Sequence, residues 1–454
     1  MRQSFRRYVG VAATAAAFPE SSPHDEAVLL LHIASEIEHA LMVQYLYAAY
    51  SLGGAGITGV SHEKARAWRE VILGIAKEEM GHLLTVQNIL RLIGGPLHLE
   101  REDYPFRSEF YSFRFKLEPL TKDSLAKYVV AESPEQWARS AQARQIVRRA
   151  QKADNERPVL RVGLLYDRLI KLFQDRKALP DEVFLRTTEP YQASWEEWGR
   201  GYGDGERGNL GENAPEKTPN VLIMRVRDRA STVQALKRIA RQGEAPDPAA
   251  SLRSQAVARS HFARFLSIYE AFPSSEAPGR QVPTNPTTDP NADEDCTAIT
   301  NRSSRTWAHL FNIRYRKLLY TLKHAFFVPA GSDLGGPTSR GDLISWTFGE
   351  MYNLRTIGGI LVTLPRGAGN ARELAGPAFE VPYTLSLPDW DSDKWRVHQD
   401  IIRASARLIK QLETMKHAPH RHRSYLQALR NRDEIELKIV DRLLEAALAQ
   451  EAAS

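Results

Sequence analysis

Glu79 and His82 stand three residues apart in GIAKEEMGHLLTVQNIL, residues 74–90, which otherwise has the apolar spacing of a buried helix. Residues three and four apart share one face of a helix, so both side chains project from the middle of one apolar stripe. A bare carboxylate there costs several kcal/mol unless it is paired, protonated or bound to a metal. Because Glu-x-x-His spacing presents a carboxylate and an imidazole to the same cation, it indicates a metal site.

The preceding helix, predicted within residues 29–50, has a similar polar interruption. Glu38 lies in the middle of a stripe that also contains Tyr45, seven residues further along. Glu36 and His39 stay open as alternatives, because this helix is apolar nearly all round. A lone buried glutamate is usually a satisfied structural residue. Here, however, two neighbouring antiparallel helices each have a potential metal ligand in the middle of an apolar face. This pattern favours a metal site.

Gly81, between the two candidate ligands of the second helix, weakens that helix by about 1 kcal/mol relative to alanine. A glycine here allows a neighbouring helix or a substrate to approach the backbone beside the metal. Simple packing of the helix explains it equally well, and the sequence does not separate these interpretations.

Glu38, Tyr45 and the Glu79-x-x-His82 pair together resemble the first half of a ferritin-like, carboxylate-bridged metal site. This resemblance implies an all-α fold built on a four-helix bundle. A long insert, residues 95–225, is expected between the second and third bundle helices, with additional helices at the C-terminal end.

The resemblance implies a second half of the site on two later helices. Glu244 ends one predicted helix and His261 lies in the next, and a short hairpin would bring them together. A complete fourth helix would carry a glutamate three residues before His261, but Ala258 stands there. The predicted ligands are therefore Glu38, Glu79, His82, Glu244 and His261, and both one and two metal ions stay open.

Several sequence segments between residues 25 and 415, taken together, resemble the iminophenyl-pyruvate dimer synthase family. They are EIEHALMVQYLYAAYSL, EEMGHLLTVQNILRLIGG, RQGEA, SHFARFL, VPTNP, FNIRYRKLLYTL, LVTLPRG and AGPAFEVP. Enzymes of this family in violacein- and rebeccamycin-type pathways couple oxidised tryptophan units. The resemblance therefore implies a small-molecule substrate, an imine derived from an aromatic amino acid, and oxidative coupling as the reaction.

Carboxylate and imidazole ligands without thiolate suit iron, with manganese as the alternative and zinc still open. Such an ion would activate dioxygen or peroxide, or polarise an imine. Tyr45 is the candidate catalytic residue, as a donor of a hydrogen bond or an electron near the metal. Core packing with a satisfied hydroxyl is the favoured interpretation of that tyrosine.

Two other classes of protein stay open beside the oxidoreductase. One is a metal-binding or storage protein, although a storage subunit is usually a compact bundle without so long an insert. The other is a degenerate ferritin-like domain with a purely structural role, which the alanine at position 258 favours. Metal content separates this last class from the first two.

Helical periodicity dominates the chain, and alternation typical of strands is nearly absent apart from residues 108–120. The predicted domains are a leader (1–24), a metal-binding bundle (25–273) and a mainly helical accessory region packed on it (274–454). The predicted helices lie approximately at 25–52, 61–94, 157–175, 228–245, 252–272, 305–327, 341–363, 393–415 and 421–450.

Composition limits the classes of partner and compartment. A net charge of +6 over 454 residues is a mild excess that does not require nucleic acid, and no apolar run approaches the length of a membrane span. The single cysteine, Cys296, allows no intrachain disulfide and fits a cytoplasmic location. Arg6 and Arg7 before an alanine-rich stretch leave a twin-arginine-like export signal as the alternative. An oligomer also stays open.

Overall fold

The protein is described by a computed structural model, which contains twelve α-helices and one two-stranded sheet among the residues it describes. The chain divides into two compact units, an N-terminal unit that ends at Arg280 and a C-terminal unit, Gln281–Ser454. The described residues are all those outside 1–21, 55–58, 138–139, 199–218, 245–259, 274–278, 332–338, 369–371, 382–384, 416–418 and 454.

The N-terminal unit contains eight of these α-helices and two short 3₁₀ helices, Asp181–Val183 and Arg186–Tyr191. Its α-helices are α1 (Pro23–Ser51), α2 (His62–Leu92), α3 (Lys122–Ala131), α4 (Ala141–Ala153), α5 (Gly163–Gln174), α6 (Trp195–Trp198), α7 (Arg229–Gly243) and α8 (His261–Ala271).

The C-terminal unit pairs two short parallel strands, with Pro286 beside Thr297 and Thr287 beside Ala298. Its elements are β1 (Pro286–Thr287), β2 (Thr297–Ala298), α9 (Arg302–Ala325), α10 (Ser339–Leu361), α11 (Asp391–Glu413) and α12 (His420–Glu451). Helix α9 packs against α10 and α11, and α11 packs against α12.

Helices α1 and α2 form the longest packed pair of the N-terminal unit. Each begins at a serine cap: Ser22 accepts a hydrogen bond from the backbone N–H of Asp25, and Ser61 from that of Lys64. Most of both helices is buried, so apolar packing on several sides stabilises them more than their local propensity does. Helix α5 packs against α1 and α7, and α8 packs against α3.

A segment without regular secondary structure, residues 220–226, lies along one face of α2. The hydroxyl of Thr85 donates to the carbonyl of Leu222 at 2.9 Å, and Asn88 donates to that of Met224 at 2.9 Å. A Cβ atom on Gly81 would come within 2.8 Å of the backbone nitrogen and oxygen of Leu222. The glycine is therefore explained by close packing, against the backbone of a non-helical segment rather than a helix.

The all-α prediction is confirmed, since helices dominate the described residues and the only strands are two residues long. The stretch 108–120 forms no strand and takes part in a single isolated bridge, Phe106 with Phe115. None of the described helices combines the length and apolar character needed to cross a membrane. Most of the leader, Ala258 and residues 274–278 at the predicted domain boundary lie outside the described residues. The domain limits, the insert and the packing of the accessory region stay predictions.

Candidate metal centre

Glu79 lies at the centre of a cluster of titratable side chains inside the N-terminal unit. Its Oε2 is 2.8 Å from Nδ1 of His82, and its Oε1 is 3.0 Å from Nδ1 of His261. All three side chains are almost fully buried, and the two imidazole rings stack with centroids 5.6 Å apart. A single carboxylate therefore presents one oxygen to each of two histidines, and Glu79 would be able to hold a metal ion together with each of them.

The first half-site consists of Glu38, His82 and the Oε2 atom of Glu79. Nδ1 of His82 lies 3.2 Å from Oε2 of Glu38, which projects from the middle of α1. The hydroxyl of Tyr166, on α5, donates to the other oxygen of Glu38. On the far side of the imidazole, Nε2 of His82 lies 2.8 Å from Oε1 of Gln242. Glu38 and His82 are thus each oriented by a hydrogen bond on the side away from Glu79.

The second half-site consists of Glu132, His261 and the Oε1 atom of Glu79. Oε2 of Glu132 lies 3.6 Å from Nδ1 of His261, and Tyr45 donates to Oε1 of Glu132 at 2.6 Å. Nε2 of His261 lies 3.0 Å from Oε2 of Glu78. The second half-site repeats the arrangement of the first. A tyrosine donates a hydrogen bond to the carboxylate of Glu132, and Glu78 accepts one from the imidazole of His261.

Glu132 was not predicted from the sequence. It follows the last residue of α3, where its backbone N–H caps that helix, and only 3% of the residue is exposed. Its side chain replaces the carboxylate expected near Ala258. A Cβ on Gly243 would approach Oε2 of Glu132 to 3.0 Å, so the glycine at the end of α7 leaves room for this carboxylate.

The structure brings four of the five predicted ligands together. Among the described residues, two groups place metal-ligand atoms within 4.8 Å of one another: Glu38 with Glu79 and His82, and Glu79 with Glu132 and His261. The two competitors on α1 project elsewhere, because Glu36 contacts His98 and His39 contacts the carbonyl of Leu99.

Glu244 lines the same cavity but belongs to neither group. Its Oε1 lies 3.3 Å from Nη1 of Arg161, and its carboxylate occupies space that a side chain at Gly163 would fill. Burial raises the pKa of Glu244 to about 8, although Arg161 opposes this shift. Its role as a ligand stays a prediction, and so does the catalytic role of Tyr45, which contacts the cluster through Glu132.

Among the described residues, no arginine or lysine is paired with the carboxylates of the two ligand groups, and the pKa values of the cluster reflect this. Burial raises the pKa of Glu38 to about 7, and the charge of Glu79 acts in the same direction. Burial lowers the pKa of His82, but Glu38 and Glu79 outweigh it and raise the value to about 10. The pKa of His261 is also raised, chiefly by Glu79, against the opposing effect of burial. Without another cation, these histidines take up protons to balance the carboxylates.

These residues fit a pair of divalent metal ions. Oε1 of Glu79 and Nδ1 of His261 are buried and make no hydrogen bond of acceptable geometry, although they lie only 3.0 Å apart. A divalent cation that displaces the proton of His261 would receive both atoms as ligands. The ligand set is oxygen and imidazole nitrogen without sulfur, which suits iron or manganese.

A small cavity separates the ligand side chains. Its volume is about 20 Å³, enough for one water-sized group. Its walls include Leu41 of α1, Tyr166 of α5, and Ile239 and Gly243 of α7. A site of this size accepts a small molecule beside the ligands but no aromatic ring.

Comparisons with known proteins agree with this architecture. A family model described as Ferritin-like matches residues 31–270, more than half of the chain. Dichlorochromopyrrolate synthase of Lentzea aerocolonigenes is 25% identical over 394 residues, which cover 79% of this chain and 36% of that protein. The 2-imino-3-(indol-3-yl)propanoate dimerase of Chromobacterium violaceum is 30% identical over 132 residues, covering 23% of this chain and 13% of the dimerase.

The chain thus spans about a third or less of the length of these curated relatives. A crystal structure of a ferritin-like protein from Caulobacter vibrioides is also similar, at 17% identity and a TM-score of 0.41. That likeness covers 74% of this chain and 96% of the other.

Proposed function

Because the chain belongs to the ferritin-like family, we propose that its N-terminal unit is a non-haem dinuclear metal enzyme that oxidises or oxidatively couples imines. The observation that carries this proposal is the placement of Glu79, with one carboxylate oxygen beside each of two buried imidazoles. Iron is the preferred metal and manganese the alternative, on the chemistry of the donor atoms.

Two groups of ligand atoms that share Glu79 support two ions rather than one. The proposed ligands are Glu38 and His82 on one ion, Glu132 and His261 on the other, and Glu79 on both. Three carboxylates carry −3 and two divalent ions carry +4, so +1 is left over. A hydroxide in the cavity would balance it, and Glu244, which lines the same cavity, is a second candidate.

When bound, iron would supply the activation of dioxygen or peroxide. The chain's own residues prepare the site for this role. Tyr166 and Tyr45 hold the carboxylates of Glu38 and Glu132, so that each keeps one oxygen directed at a histidine. The cavity beside the ligands has room for a small oxidant.

The names of the relatives support an imine as the substrate. One is called a dimerase of 2-imino-3-(indol-3-yl)propanoate, and the other a synthase. For this chain we propose an imine of an aromatic amino acid. Coupling two such molecules forms one carbon–carbon bond and releases two protons and two electrons, which reduce one hydrogen peroxide to two waters. Because the cavity does not admit an aromatic ring, the imine would react from outside it or displace a lining side chain.

The direct test supplies the imine and the peroxide together. An amino-acid oxidase converts L-tryptophan to its imine in the presence of the iron-reconstituted chain, and products are identified by mass spectrometry. We expect a coupled or oxidised product that disappears with catalase and with Glu79→Ala. Glu36→Gln is the matched control, because Glu36 lies on the same helix as Glu38 but contacts His98 instead of the cluster.

The outcomes separate the alternatives. A chain that holds iron but forms no product from any aromatic imine would contradict the proposed reaction. Uptake of many iron ions per chain would instead indicate a storage protein. A folded chain that retains no metal would indicate the structural role and overturn the proposal.

A further inference from the structure

The two half-sites differ in the group that accepts a hydrogen bond from Nε2 of each histidine, the ring nitrogen that points away from the cluster. Nε2 of His82 contacts the amide oxygen of Gln242 at 2.8 Å, and the amide nitrogen of Gln242 donates to the carbonyl of Asn220 at 2.7 Å. The second bond identifies the atom facing His82 as the amide oxygen. His82 therefore donates its Nε2–H to a neutral acceptor, and with a metal bound Nδ1 would lose its proton and turn its lone pair to the ion.

His261 is held by a charged acceptor instead. Its Nε2 lies 3.0 Å from Oε2 of Glu78, a fully buried carboxylate that is also paired with Arg264. The other oxygen of Glu78 accepts the backbone N–H of Asn220 at 2.6 Å. These two donors keep Glu78 ionised and fixed, so His261 donates its Nε2–H to an anion.

A carboxylate behind a metal-bound imidazole increases the electron density at the nitrogen that faces the metal. Partners of this kind typically change metal affinity by about 10- to 100-fold. A neutral amide polarises the ring less than a carboxylate does. The remaining contacts are matched: each half-site has one terminal glutamate held by a tyrosine and one oxygen of Glu79.

We propose that Glu78 is a positioning residue that makes the second half-site, with His261 and Glu132, bind a divalent ion more tightly than the first. The two positions then fill in order, the second half-site first. Arg264 contributes by holding Glu78, and Gln242 keeps the first half-site the weaker one. This inference rests on the proposed dinuclear centre and assigns unequal roles to its two ions.

The test isolates each half-site and uses Mn²⁺ as the probe, counted as free ion by electron paramagnetic resonance. His82→Ala leaves the second half-site, and His261→Ala leaves the first. We expect the His82→Ala chain to bind Mn²⁺ about 10- to 100-fold more tightly than the His261→Ala chain.

Glu78→Gln is then combined with each of these variants. It should weaken binding about 10- to 100-fold in the His82→Ala chain and leave the His261→Ala chain unchanged. A role of Glu78 in the fold alone would weaken both, and circular dichroism checks that each variant is folded. Equal affinities of the two single half-sites, or equal losses from Glu78→Gln, would overturn the proposal. Wild-type chain that binds no Mn²⁺ at all would instead contradict the proposed metal centre.

Discussion

Both units of this protein bury a cluster of carboxylates between helices, but among the described residues only the C-terminal cluster is balanced by arginine and lysine side chains. There Glu350, Asp433 and Glu436 surround Arg314 and Lys317, and all five are nearly or fully buried. In the N-terminal unit, Glu38, Glu79 and Glu132 surround imidazoles and tyrosine hydroxyls. The buried Arg264 of this unit is paired with Glu78, outside the ligand set.

The C-terminal cluster is satisfied by direct ion pairs. Arg314, on α9, contacts Glu350 of α10 at 2.6 Å and Asp433 of α12 at 2.6 Å. Ser405 of α11 adds a hydrogen bond to Asp433 at 3.0 Å, and Lys317 pairs with Glu436. Four helices are thus joined through one network. Buried acidic residues paired with arginine and lysine thus need no metal, whereas buried acidic residues without such partners are candidates for a metal centre.

Removing the central cation of the C-terminal cluster should have the largest effect. Arg314→Met leaves Glu350 and Asp433 buried without their partner, and should lower the free energy of unfolding of this unit by about 3–5 kcal/mol. Denaturation by urea measures the loss. Arg302→Ala, an exposed arginine on the same helix, should change it by less than about 0.5 kcal/mol. A loss for Arg314→Met as small as that of this control would contradict the comparison.

Added metal should stabilise only the N-terminal unit, whose clustered carboxylates have no arginine or lysine partner among the described residues. Mn²⁺ at a hundred times its dissociation constant should raise the free energy of unfolding of the N-terminal unit by about 2.7 kcal/mol. Thermal unfolding with and without Mn²⁺ measures this shift. Glu79→Ala should abolish it, because that side chain contacts both half-sites. An equal shift in wild type and Glu79→Ala would place the binding elsewhere.

Metal affinity should increase with pH. Bound metal displaces a proton from His82, whose pKa in the metal-free chain is about 10. Each displaced proton changes affinity by about tenfold per pH unit, or about 1.4 kcal/mol, and the dependence steepens below pH 7 as Glu38 is also protonated. Mn²⁺ titrations between about pH 6 and about pH 9 measure this dependence. An affinity independent of pH would contradict protonated histidines.

The C-terminal cluster provides the contrast in pH dependence. Burial alone would raise the pKa of Glu350, but Arg314 and Lys317 lower it to about 2. A lowered carboxyl pKa stabilises the fold above the unfolded value of about 4.5, and that contribution is lost as pH falls toward 2. The raised pKa of His82 gives the opposite dependence of stability on pH. In the metal-free chain, protonated His82 stabilises the fold fully below about pH 6.5, and this contribution is lost as pH rises through about 10.

The smallest effect is expected from the tyrosines behind the carboxylates. Tyr45→Phe removes one hydrogen bond to Glu132, and Tyr166→Phe removes the equivalent bond to Glu38. Each should weaken Mn²⁺ binding by about 1 kcal/mol, roughly fivefold, without abolishing it. Tyr47→Phe is a matched control, a buried tyrosine on α1 that lines no part of the cavity. Complete loss of binding from Tyr45→Phe would contradict a purely supporting role.

The first half-site could be predicted because its residues lie in mid-helix. Glu38, Glu79 and His82 interrupt long apolar stripes on α1 and α2, and helical periodicity places them on facing surfaces. The preference for Glu38 over Glu36 on α1 agrees with the contacts that each makes. The family prediction is confirmed as well, because its phrases were spread over most of the chain.

The second half-site was harder to predict because its residues lie at helix ends. Glu132 follows α3 and His261 begins α8, where periodicity carries no information about the direction of a side chain. Glu132 also lies far along the chain from its partners, within the predicted insert. Its one local signal was a glutamate directly after the apolar run of α3. The contact of Glu78 with His261 was not predicted, because the neighbouring Glu79 lies on the apolar face of the helix and was taken as the functional glutamate.

The central claim is that the buried carboxylates of the N-terminal unit are balanced by metal ions. The most direct measurement is elemental analysis of the full chain after anaerobic reconstitution with Fe²⁺ and removal of unbound iron. The account predicts about two iron ions per folded wild-type chain and little or none in Glu79→Ala. Folded wild-type chain that retains neither iron nor manganese would contradict it.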